Sequence, residues 1–141
     1  MSKPPTIADL TWTGGLKFSA TIQTAAFTLD SAGVDAPSPV GAVAAALAGC
    51  MGMDVVHVLT RGRHTLRALS AHLEGERSVE DPHRFTRIRL HFVIDGDVPA
   101  PAAERAIQLS RDKYCSVWHS MRQDIEFVTS FTIPSADATQ A

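Results

Sequence analysis

A long helix built from small residues constrains this chain most. Residues 38 and 39 read Ser-Pro, which is typical of a helix start because the serine hydroxyl can cap a free N–H and proline at the first helical position loses no needed donor. The predicted helix runs to about Thr60, before Gly62. Its middle, residues 42–52, is rich in alanine and glycine and uncharged. A helix that is apolar all round is usually buried all round, so we expect it at the centre of the fold or of a dimer.

Strand patterns flank this helix on both sides. In residues 85–95, Ile88, Leu90 and Phe92 alternate with Arg87, Arg89 and His91, which predicts a half-buried antiparallel strand. The other predicted strands cover residues 10–13, 16–22, 27–29, 66–77 and 125–133, and two further helices are predicted over residues 102–114 and 115–122. This order predicts an α+β fold in which long helices cover an antiparallel sheet. The length of 141 residues fits a single domain, 1–141, with its core at about 9–133.

The net charge and the hydropathy of the chain limit the classes of partner that it could bind. Thirteen Lys and Arg against fifteen Asp and Glu give a net charge of −2, which offers no basic field for nucleic acid. The longest apolar run, Ala42 to Met53, is shorter than the roughly 20 residues that span a bilayer. The N-terminus shows no pattern of a secretory leader. We therefore predict a cytoplasmic protein without a nucleic-acid or membrane partner.

The two cysteines, Cys50 and Cys115, are the candidate chemical groups. They are too few for a disulfide scaffold, and each could be an inert core residue or one member of a working pair. Cys115 precedes a predicted helix start, where free N–H groups and the positive end of the helix dipole would stabilise a thiolate. Their separation along the sequence does not predict contact.

Three segments carry a resemblance to a known family. Residues 37–56 (PSPVGAVAAALAGCMGMDVV), 75–88 (GERSVEDPHRFTRI) and 104–117 (ERAIQLSRDKYCSV) resemble the OsmC/Ohr family, and the likeness extends over residues 9–133. The resemblance implies antiparallel sheets around two long central helices in an intertwined homodimer. It also implies a thiol-dependent reductase (peroxidase) for a small organic hydroperoxide, which needs no cofactor and is regenerated by an external dithiol reductant.

Carried over by position, the resemblance makes Cys50 the peroxidatic cysteine and Cys115 the resolving cysteine. Peroxidase members also carry a glutamate near the start of the central helix and an arginine from the N-terminal strands. This sequence has Gly41 at the glutamate position and no arginine before Arg61. It therefore resembles an OsmC-like branch that lacks both groups, and Lys17 is left to supply a positive charge as a mobile point charge.

Three residues near the cysteines have two interpretations each. An ionised Asp54, one helical turn after Cys50, would raise the pKa of that thiol, or it could pair with a cation or cap a backbone group. Tyr114 and Trp118 could pack in the core or form an apolar wall for a substrate.

Two alternatives to the redox prediction stay open. A Cys/His zinc site with His57 and His119 is conceivable, but the sequence lacks the usual ligand spacings, so we predict no metal. The second alternative is a non-catalytic OsmC-like dimer that binds a small apolar or thiol-bearing ligand.

Overall fold

The computed structural model describes residues 2–135 of the chain. The last six residues of the predicted 1–141 domain, and Met1, lie outside the described residues. The described chain falls into two compact units, with a boundary between Val43 and Ala44. Its elements are β1 (Ala8–Gly14), β2 (Lys17–Ile22), β3 (Ala25–Asp30), α1 (Pro39–Arg61), β4 (Thr65–Arg77), β5 (Phe85–Asp97), α2 (Ala100–Leu109), a π-helical turn (Ser110–Tyr114), α3 (Ser116–His119) and β6 (Glu126–Thr132).

The N-terminal unit holds an antiparallel sheet in the order β1-β2-β3, as the sequence predicts. Gly14 and Gly15 connect β1 to β2 with φ of 123° and 57°, a region that favours glycine. Most of the large apolar side chains of this sheet are exposed: Leu10, Trp12, Phe18, Ile22 and Phe27. The sheet alone therefore encloses little core.

The C-terminal unit holds the second sheet, in the order β4-β5-β6. β4 and β5 pair antiparallel, with Ala71 opposite Phe92, whereas β5 and β6 pair parallel, with Leu90 opposite Thr129. The prediction of purely antiparallel sheet is wrong at this pair. β5 and β6 are joined by a long connection that contains α2, and a crossover of that length returns the chain in the same direction.

The core of the C-terminal unit lies between this sheet and α1. Alternate residues of β5 (Ile88, Leu90, Phe92 and Ile94) are buried, as predicted, together with Leu47, Met51, Val55 and Leu59 of α1. The buried residues of α1 recur every four positions and so form one stripe. Met53, on another face of α1, is 75% exposed. The single chain therefore does not bury this helix on all of its faces, contrary to the expectation.

α1 also has the length and apolar character of a membrane-crossing helix, with a mean hydropathy of 1.8 over 18 residues. The core helices of soluble proteins share these properties, so composition alone does not separate the two cases.

The helix predicted over residues 102–114 changes its winding in the structure. α2 ends at Leu109, and the π-helical turn follows, closed by a hydrogen bond of 2.7 Å from the Cys115 N–H to the Ser110 carbonyl. Cys115 then turns to an extended conformation, and α3 spans only four residues, shorter than predicted. The wider turn sets the positions of Ser110 and Cys115. Single π-helical turns of this kind are frequent at functional sites.

Candidate functional site

Helix α1 supplies the first two residues of the site. Cys50 and Asp54 are four residues apart, so their side chains share one face of the helix. Both are half-buried, and Cys50 packs against the core.

The end of the π-helical turn supplies Cys115. The residue is fully buried and stands immediately before α3, where its sulfur accepts a hydrogen bond from the Trp118 N–H at 3.3 Å. The predicted helix start after Cys115 is thus present, and the sulfur acts as its cap.

Folding brings these three residues together. The two sulfur atoms and a carboxylate oxygen of Asp54 all lie within 4.8 Å of one another, and both cysteines are free thiols. We call Cys50, Asp54 and Cys115 the thiol cluster. A disulfide needs the sulfurs at about 2.05 Å, so bond formation would require them to approach by less than about 3 Å.

A serine holds the carboxylate of the cluster. The Ser110 hydroxyl donates to Oδ2 of Asp54 at 2.7 Å, and Ser110 is fully buried. The expectation that Asp54 pairs with a cation or caps a backbone group is wrong, since within residues 2–135 its partner is this serine hydroxyl. The sequence signal that could have identified this partner was the position of Ser110 on the same side as Ala103, Ala106 and Ile107. A hydroxyl on such an apolar side needs a hydrogen-bond partner.

Burial controls the ionisation of Cys115. Burial is the largest cause that raises the pKa of this thiol, the neighbouring Cys50 thiol acts in the same direction, and the Trp118 N–H acts in the opposite one, so that the net pKa is about 11. The expectation that the helix start would stabilise a thiolate here is therefore wrong in its net effect, because loss of solvent outweighs one hydrogen bond. Cys115 is protonated at neutral pH.

A cavity of about 600 Å³ adjoins the cluster through Asp54. Its lining consists of Asp54, His57, Val58, Arg61, Arg105, Leu109 and Tyr114. Arg61 and Arg105 have neither an ion pair nor a hydrogen bond within residues 2–135. The cavity therefore offers positive charge next to the thiol cluster.

The two aromatic residues that flank Cys115 have different surroundings. Tyr114 is half-exposed on the cavity wall. Trp118 is buried, and its ring packs on Phe127 with centroids 4.5 Å apart. Core packing is therefore the correct interpretation for Trp118, whereas Tyr114 faces open space.

The remaining candidates are not members of the thiol cluster. Lys17 belongs to the N-terminal unit, where its ammonium pairs with Asp35 at 2.5 Å and its pKa is raised by that bond. His119 bonds the Arg111 carbonyl at 2.9 Å, and neither His119 nor His57 joins the grouped donor atoms in the described chain. The Gly41 N–H donates to the Ser38 hydroxyl at 3.0 Å, which confirms the predicted cap.

An α+β fold with two three-stranded sheets, one long helix and two adjacent thiols is typical of an OsmC-like protein. The chain matches the model of the OsmC-like protein family over residues 31–130. It is 37% identical over 107 residues to Protein YhfA of Escherichia coli K12, and the aligned residues make up 75% of this chain and 80% of YhfA. The chain therefore belongs to the OsmC-like family.

Solved structures agree on the fold. A hypothetical protein from Aquifex aeolicus VF5 superposes with a TM-score of 0.86 at 23% identity, over 93% of this chain and 97% of the other. The organic hydroperoxide resistance protein OsmC from Legionella pneumophila superposes with a TM-score of 0.71 at 21% identity, over 94% and 99% of the two chains. At these identities the likeness establishes the fold alone.

Proposed function

We propose that this protein is a thiol-based redox protein that reduces small organic hydroperoxides through Cys50 and Cys115. The observation that carries the proposal is the distance of at most 4.8 Å between the two sulfurs, one of them half-buried and the other fully buried. Membership of the family supports it, as does the likeness to the organic hydroperoxide resistance protein of Legionella pneumophila.

The two cysteines take different roles in this proposal. Cys50 is the attacking group because it is the less buried thiol, whereas Cys115 remains protonated at neutral pH, with a pKa of about 11. The Asp54 carboxylate, held by Ser110, is placed to accept the Cys50 proton. Cys50 is thereby the peroxidatic residue and Cys115 the resolving residue.

In this proposal the two cysteines reduce the hydroperoxide in two steps. The Cys50 thiolate attacks the O–O bond, which gives a sulfenic acid at Cys50 and an alkoxide that takes a proton to leave as the alcohol. The Cys115 thiol then condenses with the sulfenic acid, forming the disulfide and releasing water. An external dithiol returns both thiols to the reduced state.

The charge network of the family's peroxidases is reduced in this chain. Gly41 replaces the glutamate, and Lys17 is already paired with Asp35. We therefore expect slower attack by Cys50 than in a protein that has both groups, because fewer fixed charges stabilise its thiolate.

The proposal includes a homodimer, since members of the OsmC/Ohr family are dimeric. α1 and β4 border an apolar groove of about 450 Å³, lined by Ala48, Gly49, Gly52, Met53, Val56, Leu69, Ser70 and Ala71. Small residues along such a groove let a second helix approach closely. We place the dimer in the cytoplasm, where dithiol reductants keep such thiols reduced.

Single-turnover oxidation of variants tests the assigned roles. Reduced, chelator-treated protein receives one equivalent of cumene hydroperoxide together with dimedone, which traps sulfenic acids. Cys115→Ser should accumulate the trapped adduct at Cys50, because the resolving thiol is missing. Cys50→Ser should consume no hydroperoxide, and consumption at the wild-type rate would contradict the proposal.

The second candidate function is ligand binding without turnover, which the cavity with Arg61 and Arg105 favours. Because its wall carries positive charge, a thiol-bearing ligand with an anionic group fits better than the purely apolar ligand considered from the sequence. Titration calorimetry with reduced glutathione tests this candidate. Binding that survives in Cys50→Ser and is lost in Arg105→Ala would support it, whereas no heat of binding to wild-type protein would contradict it.

A further inference from the structure

We propose that the reduced thiol cluster binds one zinc ion through Cys50, Cys115 and Asp54, and that the bound metal protects the two thiols from oxidation. The inference rests on the proposed function only for this protective effect. The metal site itself follows from the donor atoms that the fold brings together.

The donor set suits zinc in kind and in spacing. Zinc binds cysteine sulfur at about 2.3 Å and carboxylate oxygen at about 2.0–2.2 Å in tetrahedral geometry, so its donor atoms lie about 3.3–3.8 Å apart. The two sulfurs and the Asp54 oxygen already lie within 4.8 Å of one another. Zinc coordination would therefore require the donor atoms to approach one another by on the order of 1 Å.

Neighbouring groups hold the donors in place. Cys50 and Asp54 stand one turn apart on α1, and Cys115 is fixed by the hydrogen bond that its sulfur accepts from Trp118. Ser110 binds Oδ2 of Asp54, which leaves Oδ1 without a hydrogen bond in the described part of the chain. A hydroxyl that orients a carboxylate in this way is a typical outer partner of a metal ligand.

The fourth coordination position would open toward the cavity of about 600 Å³ that Asp54 also lines. Three protein ligands and one open position are typical of a zinc site that keeps a water or takes an exogenous ligand. The cavity supplies the entry path that a metal site needs. The site differs from the Cys/His arrangement considered from the sequence, because its third ligand is a carboxylate.

Metal binding exchanges protons and leaves the electron count of the sulfurs unchanged. Two thiols each release a proton when their sulfurs bind Zn²⁺, while Asp54 binds as the carboxylate. The sulfur electron pairs that would attack a peroxide are then shared with the metal. Oxidation to the disulfide removes both sulfur ligands, so the metal-bound and disulfide states exclude each other.

Zinc titration of the reduced full-length protein tests the site. Chelator-stripped protein is titrated anaerobically with zinc chloride in competition with a chromophoric chelator, and cobalt chloride provides a thiolate-to-metal charge-transfer band. We expect one zinc per chain and a cobalt band that reports sulfur ligation. Absence of zinc retention against the chelator would overturn the inference.

A matched pair of aspartate variants identifies the third ligand. Asp54→Asn should weaken zinc binding by at least about 10–100-fold, the cost of losing a ligand's outer partner, because it replaces a ligand itself. Asp112→Asn should leave it unchanged, since Asp112 is exposed and bonds Gln108 at 2.8 Å. Equal affinities of Asp54→Asn and wild-type protein would contradict the assignment.

Oxidation of loaded and stripped protein separates this inference from the proposed function. Zinc-loaded protein should lose its thiols to cumene hydroperoxide at least about tenfold more slowly than stripped protein, because metal-bound sulfur is no longer a free thiolate. Disulfide formation without zinc binding would overturn the metal site and leave the redox function intact. Zinc binding without any disulfide formation in stripped protein would overturn the redox function and leave the site intact.

Discussion

The two sheets of this protein differ in how far their apolar side chains are buried. In the N-terminal unit, Trp12 and Phe27 are exposed, whereas in the C-terminal unit Phe92 and its neighbours on β5 are buried beneath helices. A small sheet needs an apolar face covered to be stable in water. The C-terminal unit meets that need within its own chain, and the thiol cluster lies there. The N-terminal sheet leaves it unmet, so this sheet is a second surface, besides the groove between α1 and β4, that we propose a second copy covers in the homodimer.

A pair of phenylalanine truncations tests this contrast with the largest expected effect. Phe92→Ala should lower the free energy of unfolding by about 3–5 kcal/mol, because it opens a cavity in a closed core. Phe27→Ala, at a side chain that is 38% exposed, should cost clearly less. Urea denaturation at one protein concentration measures both. Equal losses would show that the two sheets are equally enclosed.

Two glycines with positive φ extend the comparison to the backbone. A Cβ at Gly96, with φ of 154°, would stand 2.2 Å from the Thr65 carbonyl oxygen, whereas a Cβ at Gly14, with φ of 123°, meets no atom within 4 Å. Gly14→Ala should therefore cost only the strain of its φ, about 1–2 kcal/mol. Gly96→Ala should cost more than about 2 kcal/mol because backbone must also move. Thermal unfolding of both variants measures the two losses of stability. A larger loss of stability in Gly14→Ala than in Gly96→Ala would contradict this expectation.

Disruption of the exposed sheet tests the dimer. Trp12→Asp should weaken self-association by about 2 kcal/mol, or about 30-fold in the dissociation constant, if the indole is covered by a second copy. Val79→Asp is the control, since Val79 is 93% exposed and lies between β4 and β5. Sedimentation velocity over a concentration series measures the dissociation constants. An unchanged constant for Trp12→Asp would remove this sheet from the interface.

The last expected effect is a pH dependence with opposite signs in the two units. Backbone N–H groups, that of Asp35 first, hold the pKa of Asp30 below its ordinary 3.8, so this stabilisation is present above pH 3.8 and is lost as the pH falls through the folded value. Burial raises the pKa of Cys115 from 9.0 to about 11, so stability falls as the pH rises between these values. Thermal unfolding against pH measures both slopes.

One variant assigns the acid slope to its group. Asp30→Asn should flatten the acid side and leave the alkaline side unchanged. An acid slope that persists in Asp30→Asn would assign it to another carboxyl.

Local patterns predicted most of the elements, and long-range pairing explains the rest. The Ser38 cap, α1 and the alternation in β5 depend on nearby residues, so the sequence was sufficient for them. The parallel pairing of β6, the π-helical turn and the bond between Ser110 and Asp54 join residues far apart in sequence or depend on how α2 packs. Cys115 shows the limit at the site, because a local argument predicted a stabilised thiolate and burial reverses it.

Disulfide mapping tests the central claim, that folding forms a working pair of thiols within one chain, most directly. Stripped, reduced protein is treated with one equivalent of cumene hydroperoxide, alkylated, digested without reductant and analysed by mass spectrometry. We expect a peptide pair linked through Cys50 and Cys115, two hydrogens lighter than its reduced parts. Recovery of both cysteines as alkylated thiols, or a link between the Cys50 residues of two chains, would contradict the account.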